Sequence, residues 1–287
     1  MKKSPGILGF ALCLASLAVI GAKAAAEEDC LAKAVAKQAE SAQARNLSVE
    51  DSIDLGEGVI LKLVYIPDGE FKMGSCDKVA FARSDERPEH KVKIARPFYM
   101  GKFEVTQDQF WQVCRSLPSM QDLPCGPADR VTWNEANEFC KIVSKMSGRR
   151  LRLPTEAEWE YACRCGSGAQ FPYGTNQVEQ RRLFEFAWFY NTEVRELHEA
   201  GLKRPNAWGL NDMLGNAWEW CSDWYAADYY ASSPAEDPKG PESGKLRVAR
   251  GGPWDYTFTS CRAAFREKAN PELRLNSFGF RVVAEAR

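Results

Sequence analysis

Histidine is nearly missing from this chain: His90 and His198 are the only two among 287 residues. A three-histidine metal centre therefore cannot be assembled within one copy. Two histidines plus a carboxylate would need residues far apart in sequence to meet. Charge of one sign is lacking as well, with 38 basic against 39 acidic residues and no basic stripe. That balance gives no electrostatic footprint for nucleic acid. No internal repeat and no Pro/Gly/Ser-rich linker interrupts residues 58–287, so a single domain is expected there. Nor is there an apolar run of the roughly 20 residues that a membrane-spanning helix needs.

The longest apolar stretch, Ile7 to Ile20, follows Lys2 and Lys3 and precedes small residues at 22–26. This order is that of an export signal over residues 1–26, removed on export, with no stable membrane insertion afterwards. The location expected is periplasmic or secreted. Loss of Lys2, Lys3 and Lys23 would take the formal net charge from −1 to −4. Residues 27–57 then read as an Ala-rich leader, helical or frayed, ahead of the domain at 58–287.

Cysteine, by contrast, is plentiful, at ten residues. Such usage suits an oxidising compartment and some disulfides. Cys114 and Cys125 flank a short Pro-containing loop and are candidates for a local bridge. Cys163 and Cys165 lie in CRC and would seek different partners.

The run 59–66 is β-branched and apolar, and Pro67–Asp68–Gly69 turns it toward Phe71–Met73, predicting a hairpin. Residues 91–95 alternate as a further strand. Thr106, Thr132 and Thr155 each precede Gln or Glu by three positions, the pattern of a capping box. After Thr132, Ala136, Phe139, Cys140 and Val143 fall on one helical face, and Gly148 closes the helix. From Phe171 onward periodicity fades, and irregular loops stapled by buried aromatics are expected.

Seven phrases occur in order: FKMGS (71–75), DERPEHKVKI (85–94), FYMGKFEVTQDQF (98–110), RLPTEAEWEYACR (152–164), NAWGLNDMLGNAWEW (206–220), ARGGPW (249–254) and FGFRV (278–282). Together they resemble the formylglycine-generating enzyme, or sulfatase-modifying-factor, family over about residues 58–284. The resemblance implies an α+β fold: one C-type-lectin-like domain with little regular secondary structure. It also implies a structural calcium ion in DMLGNAWE, held by side chains of Asp212 and Glu219 and carbonyls of Gly215 and Ala217. Calcium wants oxygen ligands and tolerates irregular geometry. The bland alternative has Asp212 and Glu219 capping turns or pairing with arginine. Trp218, Trp220 and Trp224 read as core. A second calcium segment of the family does not carry over, because Phe186 stands where its leading Asn would be.

Formylglycine enzymes of this family use two cysteines after RGG to hold copper(I). Here the corresponding positions are Tyr256 and Cys261, so the first thiol is missing and sulfatase activation by the usual route is not expected. The resemblance instead offers Cys261 as a disulfide partner of Cys163, directly or with Cys165. The family's other bridge would need Cys140 and position 282, which is Val282. Exported relatives without the copper pair include periplasmic maturation proteins of the pyoverdine siderophore. Two readings follow. In one, Trp254, Asp255, Arg250 and Arg266 bind a peptide-like or phenolic substrate that is oxidised beside Tyr256 and Cys261, with the redox metal unassigned. In the other, the same surface is a ligand-binding or accessory module without turnover. A sulfatase activator with an altered site is a further alternative.

Overall fold

The computed structural model describes residues 8–166, 169–175, 179–190 and 196–286, with side chains from residue 25 onward. The expected export segment thus lies almost wholly outside the described side chains. The chain opens with α1 (Leu8–Ala44). Ala34, Gln38 and Ala42 are buried, and a spacing of four puts them on one helical face. The Gln38 amide donates to the carbonyls of Tyr65 (2.7 Å) and Trp208 (3.0 Å), while Trp208 Nε1 donates to Ala34 O at 2.9 Å. Residues 27–57, read as a leader, are accordingly part of the fold. Their last segment, β1 (Glu50–Asp54), pairs antiparallel with β2 (Ile60–Ile66).

β2 does not form the expected hairpin with β3 (Gly69–Met73). It pairs instead with β5 (Phe98–Gly101), whereas β3 joins β4 (His90–Ile94) in a separate two-stranded sheet. The main sheet runs β1–β2–β5–β11–β6, with β6 at Leu151–Arg152 and β11 at Val283–Glu285. Alternate residues point to opposite faces. Val64, Ile66, Phe98 and Met100 feed one core with Trp159, Tyr161 and Trp208; Leu61, Leu63, Tyr65 and Tyr99 feed a second with Phe110, Phe139 and Phe280. The sheet is therefore buried on both sides.

All three capping boxes form. They open α2 (Gln107–Cys114), α3 (Trp133–Ser147) and α4 (Glu156–Cys163), and in each the Thr hydroxyl and the third residue's side chain exchange bonds with backbone amides. Such a cap contributes about 1 kcal/mol. A short α5 follows at Gln180–Leu183. The final sheet, β10–β7–β8–β9, comprises Phe278–Gly279, Trp218–Trp224, Arg247–Arg250 and Glu267–Ala269. Trp218 and Trp220 are buried as expected, whereas Trp224 is half-buried with Arg247 stacked on its ring.

Candidate functional site

Strand β8 ends in Gly251–Gly252, both with positive φ, and a Cβ on Gly252 would press within 3.0 Å of Ser260 O. The double glycine lets residues 253–260 fold back on themselves at the sheet end. The loop is tied on two sides: Trp254 N donates to Asn216 O at 3.0 Å, and Tyr190 N donates to Tyr256 O at 2.8 Å. Asp255, Tyr256 and Thr257 are exposed at its apex, and Trp254 and Phe258 are half-buried. Tyr256 rests edge-on against Trp218 at 5.7 Å, and Phe258 meets Phe81, itself 57% exposed, at 5.9 Å. Partial burial raises the Asp255 carboxyl above its ordinary range. The result is an aromatic face with one carboxylate, able to pack against flat or apolar ligand groups.

Three residues expected on this face are elsewhere. Arg250, Arg266 and Cys261 are all fully buried. Arg250 reaches Glu156 and Glu160, and Arg266 grips Glu156 with two bonds. A buried charge needs a partner, and α4 supplies these glutamates one turn apart, so both arginines are drawn into the core. Burial works against ionising Glu156, yet Arg266 and Arg250 hold its carboxyl below the usual range. Cys261 has its thiol pushed up to about 12 by burial, which leaves it a poor nucleophile.

The thiols are otherwise arranged than expected too. Among the described residues all nine cysteines are free, so neither Cys114–Cys125 nor Cys163–Cys261 is joined. Cys114, at the end of α2, has Cys140 of α3 as a charge neighbour.

In the loop read as a calcium site, Gly215 has φ +85°, and a Cβ there would meet Trp188 O at 2.2 Å. Both oxygens of Glu219 are engaged by protein donors. Arg281 donates to both its oxygens at 2.6 and 2.7 Å, and Trp159 Nε1 adds a third bond at 2.7 Å. Asp212 differs: Oδ2 accepts Gly201 N, but Oδ1 is buried with no partner. Glu104, also buried, leaves Oε1 unpartnered. Burial, opposed in part by the Gly201 amide, pushes Asp212 up to about 6; burial and then Asp212 push Glu104 well above its usual range. Three carboxyl groups thus act on one guanidinium, that of Arg281. Among the described residues no three His, Cys, Asp or Glu side chains converge on one point. The side-chain oxygens left for a hard cation here are Asp212 Oδ1 and Glu104 Oε1, whereas those of Glu219 are already bonded.

Sequence reasoning missed Glu104, Asn216 and Phe81. Asn216 ties the region together, since Oδ1 accepts His198 N, Nδ2 donates to His198 O and its carbonyl holds Trp254. His198 lies flat on Trp188 at 3.6 Å, and burial lowers its pKa. The one readable hint was Glu104, an acid set among apolar residues in FEVT.

Residues 57–286 match the sulfatase-modifying factor enzyme 1-like domain. The chain is 35% identical to the formylglycine-generating enzyme of Bos taurus, over 78% of this chain and 75% of that one. It is 30% identical to the formylglycine-generating enzyme of Streptomyces coelicolor, over 78% and 89% respectively. The solved structure of PvdO from Pseudomonas aeruginosa superposes with a TM-score of 0.74 at 27% identity, covering 82% of this chain and 98% of that one. By sequence and by fold, the chain belongs to the sulfatase-modifying factor (formylglycine-generating enzyme) family.

Proposed function

We propose that the Trp254–Phe258 face binds a phenolic or peptide-like molecule outside the cytoplasm and promotes its oxidation, in the manner of pyoverdine maturation, rather than activating sulfatases. The observation that carries this reading is the pair Tyr256 and Cys261. Tyr256 stands exposed at the apex where the family's first copper-binding cysteine would be, and Cys261 is fully buried with its thiol pushed up to about 12. Two converging thiolates, which a soft metal prefers, are not offered by this loop. Tyr256, Trp254 and Phe258 would hold a flat ring, and the Asp255 carboxylate would accept its proton. Converting a dihydro-aromatic ring to the aromatic one removes two hydrogens, and dioxygen as acceptor would leave as hydrogen peroxide.

The test is oxygen uptake by the purified protein with a dihydropyoverdine-type substrate, followed by its absorbance change. Uptake lost in Tyr256→Ala supports the proposal. Conversion of a sulfatase-peptide cysteine to formylglycine would refute it. A second reading, binding without turnover, draws on the burial of Arg250, Arg266 and Cys261, which leaves few reactive groups at the surface. Saturable ligand binding without oxygen uptake would favour that reading.

A further inference from the structure

We propose that the cavity beside Trp224 binds the carboxylate of an organic acid or of a peptide C-terminus, with the Arg247 guanidinium as its anchor. This inference is independent of the functional reading above, because Arg247 opens β8 whereas the Trp254–Phe258 face follows its far end.

Arg247 stands directly opposite Trp224 of β7 in the strand pairing. Its Cζ lies 3.4 Å from the centre of the Trp224 ring and 3.8 Å from that of Trp133, the first residue of α3. Two flat rings hold the guanidinium plane in one orientation, and Nη1 donates to Ser222 O at 2.6 Å. The remaining donors are idle: Nε is buried without a partner, and Nη2 makes no bond among the described residues. That edge, Nε with Nη2, is the one by which Arg266 grips Glu156 and Arg281 grips Glu219. Each fully buried arginine of the core, namely Arg164, Arg250, Arg262, Arg266 and Arg281, forms an ion pair with a glutamate. Half-buried Arg247 forms none among the described residues. The carboxylate acting on it is that of Asp223, whose Oδ2 already accepts Glu156 N and Ser222 Oγ. An unmade bond on a charged donor costs free energy that a bound anion restores.

The cavity that Arg247 and Trp224 line measures about 1060 Å³, room for a ligand larger than a simple inorganic ion. Most of its other charges are already matched. Glu158 is held by Arg152, Glu285 by Arg150 and Glu236 by Lys93. Arg96 and Lys239 on the rim pair with no carboxylate, and Asp237 and Glu242 pair with no cation, among the described residues. Three unmatched cations against two unmatched carboxylates suit one negative charge better than two. A planar monoanion also fits the fixed edge of a stacked guanidinium. Both points select a carboxylate over a phosphate.

The test is isothermal titration calorimetry of the protein with benzoate, with N-acetyl-Ala-Ala-Phe, with the C-terminal amide of that peptide and with inorganic phosphate. Benzoate and the free-acid peptide should bind saturably, the amide and phosphate at least about tenfold more weakly. A peptide acid that binds more tightly than benzoate assigns the site to a chain end, and the reverse order assigns it to a free acid. Arg247→Gln should remove binding of both carboxylates. Should that variant fail to fold, Lys239→Gln at the exposed rim should weaken both by about two- to fivefold, the value of one exposed charge, with the melting temperature of the parent. Equal binding of acid and amide, or phosphate binding more tightly than benzoate, overturns the proposal. So does benzoate affinity unchanged in the variant that folds, or no saturable heat from any probe up to tens of millimolar.

Discussion

Arg266 meets Glu156 through two parallel bonds, Nε to Oε1 at 2.7 Å and Nη2 to Oε2 at 2.9 Å, and neither residue reaches solvent. Tyr230 and Arg250 complete the surroundings of the same carboxylate. Removing Arg266 takes away two of the bonds to this buried carboxylate and leaves Arg250, at 3.3 Å, as its remaining cation. Arg266→Ala should therefore lower the free energy of unfolding by about 3–5 kcal/mol, measured by urea titration. A stability loss under about 1 kcal/mol, of the size surface substitutions show, would return Arg266 to a surface role.

Tyr256 predicts the opposite split. Its ring is 47% exposed and touches Trp218 only by its edge. Tyr256→Ala should cost no more than about 1.5 kcal/mol of stability, the value of one aromatic pair. Ligand affinity or turnover should fall at least about tenfold, or 1.4 kcal/mol. Calorimetry on the two proteins separates these quantities. Full retention of binding would place the functional surface elsewhere on the molecule.

The N-terminal helix is held by Gln38, whose one amide serves two carbonyls 143 residues apart in sequence. Gln38→Ala leaves Tyr65 O and Trp208 O each short of a donor in a dry interface, at about 1–3 kcal/mol. Hydrogen exchange should show faster opening across α1 in the variant, with α3 unchanged. Equal protection of α1 in variant and parent would mean that apolar contact alone docks the helix.

Local signals were legible and long-range ones were not. The three Thr caps could be read because each needs only residues three positions apart, and Gly148 closes α3 as its place in the sequence suggests. Strands β2 and β3 misled, because a Pro–Asp–Gly turn between apolar runs carries no information on which partner each strand will take. Their partners lie up to 38 residues away (Leu63 opposite Gly101) in β1, β4 and β5. Arg250 and Arg266 read as surface groups because a sequence does not show which carboxylates a fold will place opposite them. The docking face of α1 was hidden for a different reason. Small residues such as Ala34 and Ala42 bury little area and give no amphipathic contrast, so the stripe resembles a solvated leader.

Chelation tests the charge excess at Glu104 and Asp212. If a divalent cation compensates their unpartnered oxygens, dialysis against EGTA should lower the melting temperature by about 5–10 °C, as expected for a site near a hundredfold saturation. Glu104→Gln should shrink that difference, while Glu219 stays paired with Arg281 throughout. A melting curve indifferent to both EGTA and added calcium would mean that these two carboxyls are held protonated instead.

Asp223 sets the sign of the stability response to pH. Burial above all, then the neighbouring Glu156 carboxylate and more weakly Glu158, push its carboxyl from an ordinary 3.8 up to about 7. Bonds to Oδ2 from Glu156 N at 2.9 Å and Ser222 Oγ at 3.0 Å offset this only in part, and Arg247 and Arg152 are the cations near it. A carboxyl whose native pKa exceeds its unfolded value binds more protons when folded. Its contribution is therefore most favourable below about pH 4 and is lost as pH rises through about 7. A shift of this size corresponds to at most about 4 kcal/mol. Asparagine keeps the accepting oxygen without the charge, so Asp223→Asn should flatten the fall in stability between pH 5 and pH 8. At pH 8 the variant should be the more stable protein. Urea titrations of both proteins at the two pH values decide the matter, and parallel pH profiles would show that Asp223 is ionised in the folded state without cost.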